Sequence, residues 1–286
     1  MTTIALFGAA GNMGTRIAGR LRDDPEYRML YVEADEAGEA RLRERGLQPT
    51  SRDDAVAQAD VAILAVPDVF VGPVAEDIVP SLKSGAMLMS LDPAAPYGGK
   101  LPPRDDISYF VTHPAHPPLF NDETDPEARR DYFGSGQAKQ AIVCALMQGP
   151  EEDYARGEAI AASMFGPVLR SHRVTVEQMA LLEPALTETV AATCASVIRE
   201  AMDDVIARGV PPEAARDFLL GHIRIALAIC FGELDWDFSV GAKKAIAAAK
   251  EQLFRPDWKK VFEPESLRES VARITGGSAG SAAAYR

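Results

Sequence analysis

The sequence has 286 residues, 47% of them hydrophobic and 25% charged, a composition typical of a soluble globular chain of about two domains. With 30 Lys and Arg against 42 Asp and Glu, the net charge of −12 disfavours nucleic acid or an anionic membrane as a partner, while a local basic pocket remains compatible with it. No apolar run approaches the roughly 18 residues that span a bilayer, and a first strand from Thr3 leaves no room for a signal peptide, so we expect a cytoplasmic protein.

Short aliphatic runs alternate with helix-period segments through the first half of the chain. This alternation predicts an α/β fold with a doubly wound parallel sheet and helices on both of its faces. The strands are predicted over residues 4–7, 29–32, 61–66, 87–91, 109–111 and 141–146.

A glycine-rich turn follows the first predicted strand. Gly8, Gly11 and Gly14 have a GxxGxxG spacing, in which the first permits a tight turn, the second admits a pyrophosphate and the third packs helix on strand. The helix that opens at Asn12 and Met13 offers backbone N–H groups and a partial positive charge to phosphates. The turn therefore predicts a Rossmann-type cofactor site.

An acidic residue about 20 positions after the turn selects the cofactor. Glu33, with Asp35 as the alternative, would accept hydrogen bonds from the adenine ribose and repel a 2′-phosphate, which favours NAD over NADP. Val66, Pro67 and Asp68 end the third predicted strand. We expect their backbone to contact the nicotinamide half of the cofactor.

His113 follows the fifth predicted strand, in a proline-rich segment. Ligands of open α/β sheets bind at the carboxyl ends of the strands, so this imidazole is expected in the cleft. A histidine side chain ordinarily titrates near the working pH of enzymes, which suits an imidazole here to accept the proton of an alcohol as hydride leaves. A structural role remains an alternative for His113 and also for His116.

After Thr175 the sequence changes to long amphipathic helices. We place the boundary between a NAD-binding Rossmann domain, 1–175, and an all-helical domain, 176–286, at this point. Thr175 with Gln178 forms a capping-box sequence that opens the first helix. Gly209 and the prolines that follow it end that helix, and a second is predicted from about 212 to 231.

Pro184 lies inside the first of these helices, where it removes a backbone hydrogen bond and predicts a kink. Glu183 beside it is the second candidate catalytic residue. The alternative is that Pro184 starts a new helix and leaves Glu183 exposed. If Glu183 points into the cleft, its carboxylate and His113 could together hold a divalent metal ion, although two ligands do not specify which metal.

Apolar residues line the helical half. A stripe recurs at helical spacing along the first helix, and the second helix is apolar around most of its circumference. Core packing would explain most of this pattern, but the helical half is a small unit to cover so apolar a helix alone, so we favour a homodimer. The stripe consists of Val190, Cys194, Val197, Ala201 and Val205.

Two segments interrupt these patterns. The acidic stretch 117–136 breaks the α/β alternation and is interpreted as a lid, a dimer arm or, by preference, a surface loop. The stretch 275–285 is rich in Gly, Ser and Ala and is expected to be mobile.

The glycine turn, the Val66-Pro67-Asp68 sequence and the long helix together resemble the β-hydroxyacid dehydrogenase and 6-phosphogluconate dehydrogenase superfamily. The resemblance covers nearly the whole chain in layout. It implies an N-terminal Rossmann domain and a helical C-terminal domain that dimerises and closes the substrate cleft. The superfamily's catalytic lysine is absent, since the corresponding segment, 179–186, contains no Lys.

His113-Pro114 resembles the His-Pro motif of prephenate dehydrogenase-like proteins, in which the histidine binds the hydroxyl that is oxidised. The longer string 113–121, with Leu-Leu-Glu-Pro at 181–184, resembles the D-apionate oxidoisomerase group. That resemblance implies an enzyme that oxidises a small anionic substrate, a branched sugar acid, with NAD and rearranges it. Plain oxidation of a 3-hydroxy acid and a non-catalytic NAD-binding sensor are the alternatives.

Overall fold

The computed structural model describes residues 1–276, so part of the stretch predicted to be mobile, 275–285, lies outside them. The first half of the chain forms a seven-stranded sheet of order β2-β1-β3-β4-β5-β6-β7. Its strands are β1 (Thr2–Phe7), β2 (Tyr27–Val32), β3 (Val61–Leu64), β4 (Met87–Ser90), β5 (Ser108–Pro114), β6 (Gln140–Gln148) and β7 (Val168–Arg173).

The first five strands pair in parallel, as the sequence predicts. Expecting an entirely parallel sheet was wrong for β6, which pairs antiparallel with β5. The segment between these strands forms a loop with the 3-10 turn Ala128–Arg130 in place of a crossover helix. Strand β7, which is not among the predicted strands, pairs in parallel with β6.

Alternate residues of the strands face opposite sides of the sheet, and each side has its own core. Ile4 and Leu6 of β1 pack on one face, while Ala5 and Phe7 pack on the other. Burial of each large aliphatic side chain stabilises the fold by about 1.5–3 kcal/mol. The helices on the two faces are α1 (Asn12–Leu21), α2 (Glu36–Glu44), α3 (Arg52–Gln58), α4 (Asp68–Ile78), α5 (Ala94–Tyr97) and α6 (Glu152–Phe165).

The remaining helices are α7 (Val176–Ala180), α8 (Thr193–Ala207), α9 (Pro212–Cys230), α10 (Val240–Leu253) and α11 (Pro264–Thr275). The predicted capping box is present: the Thr175 side chain accepts from the N–H of Gln178, whose side chain accepts from the N–H of Thr175. Helix α8 ends just before Gly209, which adopts a positive φ of 102°. Helix α9 then begins where the sequence predicts.

The chain divides into two compact units, Met1–Pro184 with the C-terminal segment from Arg268, and Ala185–Leu267. The first unit extends past residue 175, where the domain boundary is predicted from the sequence. Met179 explains the extension, because it is buried against Val111 and Ala145 of the sheet.

Helical geometry is continuous over Val176–Ala207, and its most apolar window has a mean hydropathy of 1.2. By length and composition alone this helix could cross a membrane, although polar residues interrupt it and it contains no continuous apolar run of that length. Only 11% of the window is buried in the single chain. A large apolar surface of the helix is therefore left uncovered by residues 1–276.

Candidate active site

The glycine turn connects β1 to α1. Gly8 has a φ of +76°, and a Cβ there would collide with the carbonyl group of Ala65. A Cβ on Gly14 would collide with the backbone of Gly8 and Ala9, so both positions require glycine. Gly11 precedes α1 without a side-chain cap, and the first turn of α1 contains no acidic residue. These features leave the start of the helix suited to an anion.

Glu33 lies immediately after β2, and its carboxylate accepts a hydrogen bond from the N–H of Ala10 in the glycine turn. Asp35 has a different role: it caps α2 by accepting from the N–H of Gly38 at 2.7 Å. A Cβ on Gly38 would collide with the Glu33 side chain, so a glycine five residues after the acidic position is a further sequence signal for Glu33.

A cavity of about 760 Å³ opens between the ends of β1, β2 and β3. This volume falls in the range of small-molecule sites. Of the residues predicted to bind the cofactor, those that line it are Gly8, Gly11, Glu33, Val66 and Pro67.

Four predicted cofactor residues do not line that cavity. Asn12 faces a second cavity, beside the outer side of α1. Met13 packs against the hydrophobic core, Gly14 is buried against Ala9, and Asp68 begins α4. Backbone N–H groups can still reach a cofactor from such positions, so their cofactor roles stay predictions.

Arg41 and Arg52 also line the 760 Å³ cavity, and sequence reasoning assigned them no role. Arg52 is paired with Asp53 and Asp77, so its charge is already matched. The lining of the cavity therefore combines the carboxylates of Glu33, Asp53 and Asp77 with two guanidinium groups.

His113 is the penultimate residue of β5, so the strand extends beyond its predicted end. Its Nδ1–H donates to the carbonyl oxygen of Leu91 at 2.7 Å. This hydrogen bond leaves the Nε2 lone pair of the neutral imidazole for a substrate proton or a metal ion. Leu91 follows β4, and this contact is not predicted from the sequence.

Glu183 faces His113, with Oε2 at 3.6 Å from the Nε2 atom. The two side chains are 19% and 18% exposed, so a small solute can reach both. The backbone adopts wide π-helical geometry over Leu181–Ala192, around the predicted disruption at Pro184. The alternative, in which Pro184 starts a new helix and leaves Glu183 exposed, is not what the structure shows.

Two further titratable groups lie near this pair. Burial raises the pKa of Asp68, against the opposing effect of His113, while the Glu183 charge adds to the rise. Burial lowers the pKa of His116, whose Nδ1–H donates to the carbonyl oxygen of Phe133 at 3.0 Å. Across residues 1–276, no three His, Cys, Asp or Glu side chains form a group that could hold a metal ion.

Two families match the chain. Residues 3–92 match the family described as NADP oxidoreductase, coenzyme F420-dependent. Residues 121–275 match the C-terminal domain of decarboxylating phosphogluconate dehydrogenase. The two matches divide the chain between a nucleotide-binding part and a dehydrogenase C-terminal part, as the sequence resemblance implies.

Full-length relatives share the whole layout. The chain is 56% identical to a D-apionate oxidoisomerase of Cupriavidus necator, over 95% of this chain and 99% of the relative. It is 54% identical to one of Rhizobium rhizogenes, over 96% and 100%. A crystal structure described as a semialdehyde dehydrogenase NAD-binding protein from Cupriavidus necator, in complex with calcium and NAD, is 55% identical with a TM-score of 0.93. The similarity covers 96% of this chain and 100% of that one.

Proposed function

The chain belongs to the D-apionate oxidoisomerase family of NAD-dependent oxidoreductases, and we propose that it oxidises D-apionate and rearranges the product to 3-oxo-isoapionate. The observation that carries the proposal is the pair formed by His113 and Glu183 at the carboxyl end of β5. A histidine held by a backbone carbonyl and facing a carboxylate is suited to proton transfer from a hydroxyl group.

The oxidation separates a hydride from a proton. NAD, when bound, accepts the hydride from the carbon that carries the hydroxyl group. Nε2 of His113 accepts the hydroxyl proton, and the carbonyl of Leu91 keeps Nδ1 protonated and the ring in place. Glu183 at 3.6 Å stabilises the positive charge that develops on the imidazole.

The adenosine half of NAD fits the cavity at the glycine turn. Glu33 lines this cavity and supplies the carboxylate that a ribose diol binds. The pyrophosphate belongs at the start of α1, where no acidic side chain opposes it. Among the cofactor residues named from the sequence, Glu33 is the one that would distinguish NAD from NADP.

A divalent metal ion fits the same pair of side chains. His113 and Glu183 offer one nitrogen and one oxygen donor, and substrate oxygens with water would complete the coordination. Such an ion would polarise neighbouring oxygens of the substrate, which favours a rearrangement after oxidation. The calcium in the Cupriavidus necator crystal supports a cation in this family. If Nε2 binds the ion, it cannot accept the proton in the same step.

The test incubates the purified protein with NAD or NADP and a panel of branched and linear sugar acids, before and after treatment with a chelator. We expect reduced cofactor from NAD with D-apionate, and loss of the rearranged product on chelation. If turnover and rearrangement both survive exhaustive chelation, the proposed metal ion has no role in the reaction. Reduction by a linear 3-hydroxy acid alone would favour plain oxidation, and NAD binding without any turnover would favour a sensor.

Homodimerisation is part of the proposal. Large apolar side chains of the second unit are uncovered in the single chain: Phe218 is 70% exposed, Phe231 is 72% exposed and Val197 is 49% exposed. Monomeric proteins rarely leave so many large apolar groups in water, and a second copy of the chain is the simplest cover. A cytoplasmic location, where NAD and small sugar acids are available, completes the proposal.

A further inference from the structure

A buried arginine of α1 lacks a hydrogen-bond partner. Arg16 is 4% exposed, and none of its three guanidinium nitrogens has a partner in the described part of the chain. Its Cζ lies 5.0 Å from the ring centre of Phe133 and 5.1 Å from that of Phe165. The two rings stabilise the charge but accept no conventional hydrogen bonds, and burial lowers the pKa of Arg16 to about 10.

Arg16 borders the cavity of about 700 Å³ on the outer side of α1. Arg20 and Arg45 border it too, and the loop 133–137 of the acidic insertion forms the opposite wall. Arg20 donates to the carbonyl oxygen of Gly136, and Arg45 donates to that of Ala10 at 3.2 Å. Within residues 1–276, none of the three guanidinium groups is paired with a carboxylate.

Asp131 is the carboxylate that affects the charge of Arg16 most, but its oxygens are already engaged. They accept from the N–H groups of Gly134 at 2.9 Å, Ser135 at 3.1 Å and Gly136 at 2.7 Å. This carboxylate therefore shapes the loop and neutralises at most one of the three positive charges. The result is a local basic cavity in a chain whose net charge is −12.

We propose that this cavity, bounded by Arg16, Arg20, Arg45 and the loop 133–137, is a second anion site that binds a phosphate group. Phosphate matches the forked donors of Arg20 and Arg45, and the guanidinium group of Arg16, whose nitrogens are shielded from solvent, adds its positive charge from behind the cavity wall. The volume exceeds that of the bare ion, so either inorganic phosphate or the phosphate of a small monoester fits. The site shares no lining residue with the cavity assigned to the adenosine half of NAD, but Asn12, a predicted cofactor residue at the start of α1, lines it, so the site borders the place assigned to the pyrophosphate.

The loop connects this site to the catalytic pair. The carbonyl of Phe133 accepts from Nδ1–H of His116, and the His116 ring centre lies 6.2 Å from that of His113. A bound anion would restrict the position of Phe133 and, through this hydrogen bond, the position of His116. Occupancy is therefore expected to change turnover, an effect that rests on the proposed function, whereas the binding itself does not.

The test is calorimetric titration with inorganic phosphate and with glycerol 3-phosphate, at constant ionic strength and saturating NAD. We expect binding to the wild-type protein with a Kd of about 1 mM. Arg16→Met places an apolar side chain between the two rings and should weaken binding at least about tenfold. Arg130→Met, an exposed arginine of the same insertion outside the cavity, should leave the affinity unchanged.

Arg45→Gln provides a second variant in case Arg16→Met does not fold. Tighter binding of the monoester would identify a metabolite as the ligand, and tighter binding of the inorganic ion would identify free phosphate. The proposal is overturned if the wild-type protein binds neither, if the folded arginine variants bind as the wild type does, or if NAD abolishes the binding. The last result would place the anion in the dinucleotide site.

Discussion

One backbone carbonyl determines which nitrogen of His113 is available for chemistry. The sequence identifies the histidine, because a His-Pro segment follows a predicted strand. It does not identify Leu91, which is 22 residues away and becomes adjacent only when β4 and β5 pair. The facing carboxylate of Glu183 is likewise proposed from the sequence, but its 3.6 Å distance from Nε2 depends on the packing of α7 against the sheet.

Replacing His113 tests the proton acceptor. His113→Asn keeps a polar side chain of similar size but removes the basic nitrogen, so kcat should fall by about 10²–10⁴. NAD affinity should stay within about twofold, because the dinucleotide cavity does not include His113. Steady-state kinetics and NAD titration measure the two effects. His172→Asn, on the exposed face of β7, is the control. Wild-type rates in His113→Asn would end the proposed role.

Glu33 and Asp35 form a matched pair for the cofactor. Glu33→Ala should weaken NAD binding about tenfold or more, because a ribose diol loses a charged acceptor. Asp35→Ala should leave NAD affinity nearly unchanged and lower the free energy of unfolding by about 1 kcal/mol, because it removes the cap of α2. NAD titration and urea denaturation separate the two variants. The reverse pattern would move the ribose contact to Asp35.

Strands with buried aliphatic runs and helices with capping signals could be predicted from the sequence. Elements whose form depends on contacts between residues far apart in the chain could not. Strands β1 to β5 have apolar runs that require burial. Strand β7 is almost entirely exposed, and its sequence is mostly polar. The sequence locates the defect in the long helix at Pro184. Whether a proline bends, ends or widens a helix depends on what the neighbouring turns pack against, here the burial of Met179.

Helix α1 contains two glycines with opposite expected effects. Gly14→Ala places a methyl group against the backbone of Gly8 and should destabilise the protein by about 1–3 kcal/mol and weaken NAD binding. Gly19→Ala meets no atom within 4 Å and should stabilise it by about 0.5–1 kcal/mol through helix propensity. Urea denaturation checks both. Equal effects would show that the turn can shift to accept a side chain.

Net charge and apolar content are averages over the whole molecule, and the composition of a local site can differ from them. The balance of charges permitted a basic pocket without locating it, because Arg16, Arg45 and residue 133 are far apart in sequence. From the sequence alone, Arg16 resembles an ordinary exposed arginine of a helix. Its burial arises only when α6 and the insertion pack against α1 in the folded chain. In contrast, the apolar stripes of the helical half were evident from their spacing, and the single chain leaves several of their members exposed, among them Val197, Val205 and Phe218.

Exposure of these stripes predicts a mass of twice the chain's 30.8 kDa in light scattering after size-exclusion chromatography. Phe218→Asp should shift the protein towards the chain mass, because association would bury an unpaired charge. The unfolding temperature of the Phe218→Asp variant should also depend less on protein concentration than that of the wild type. Leu169→Asp, an equally apolar position on the edge strand β7 with 47% exposure, should leave the dimer intact. A wild-type protein that elutes at the chain mass at micromolar concentration would contradict the dimer. The exposed apolar helices would then need a different partner, since water alone does not favour such a surface.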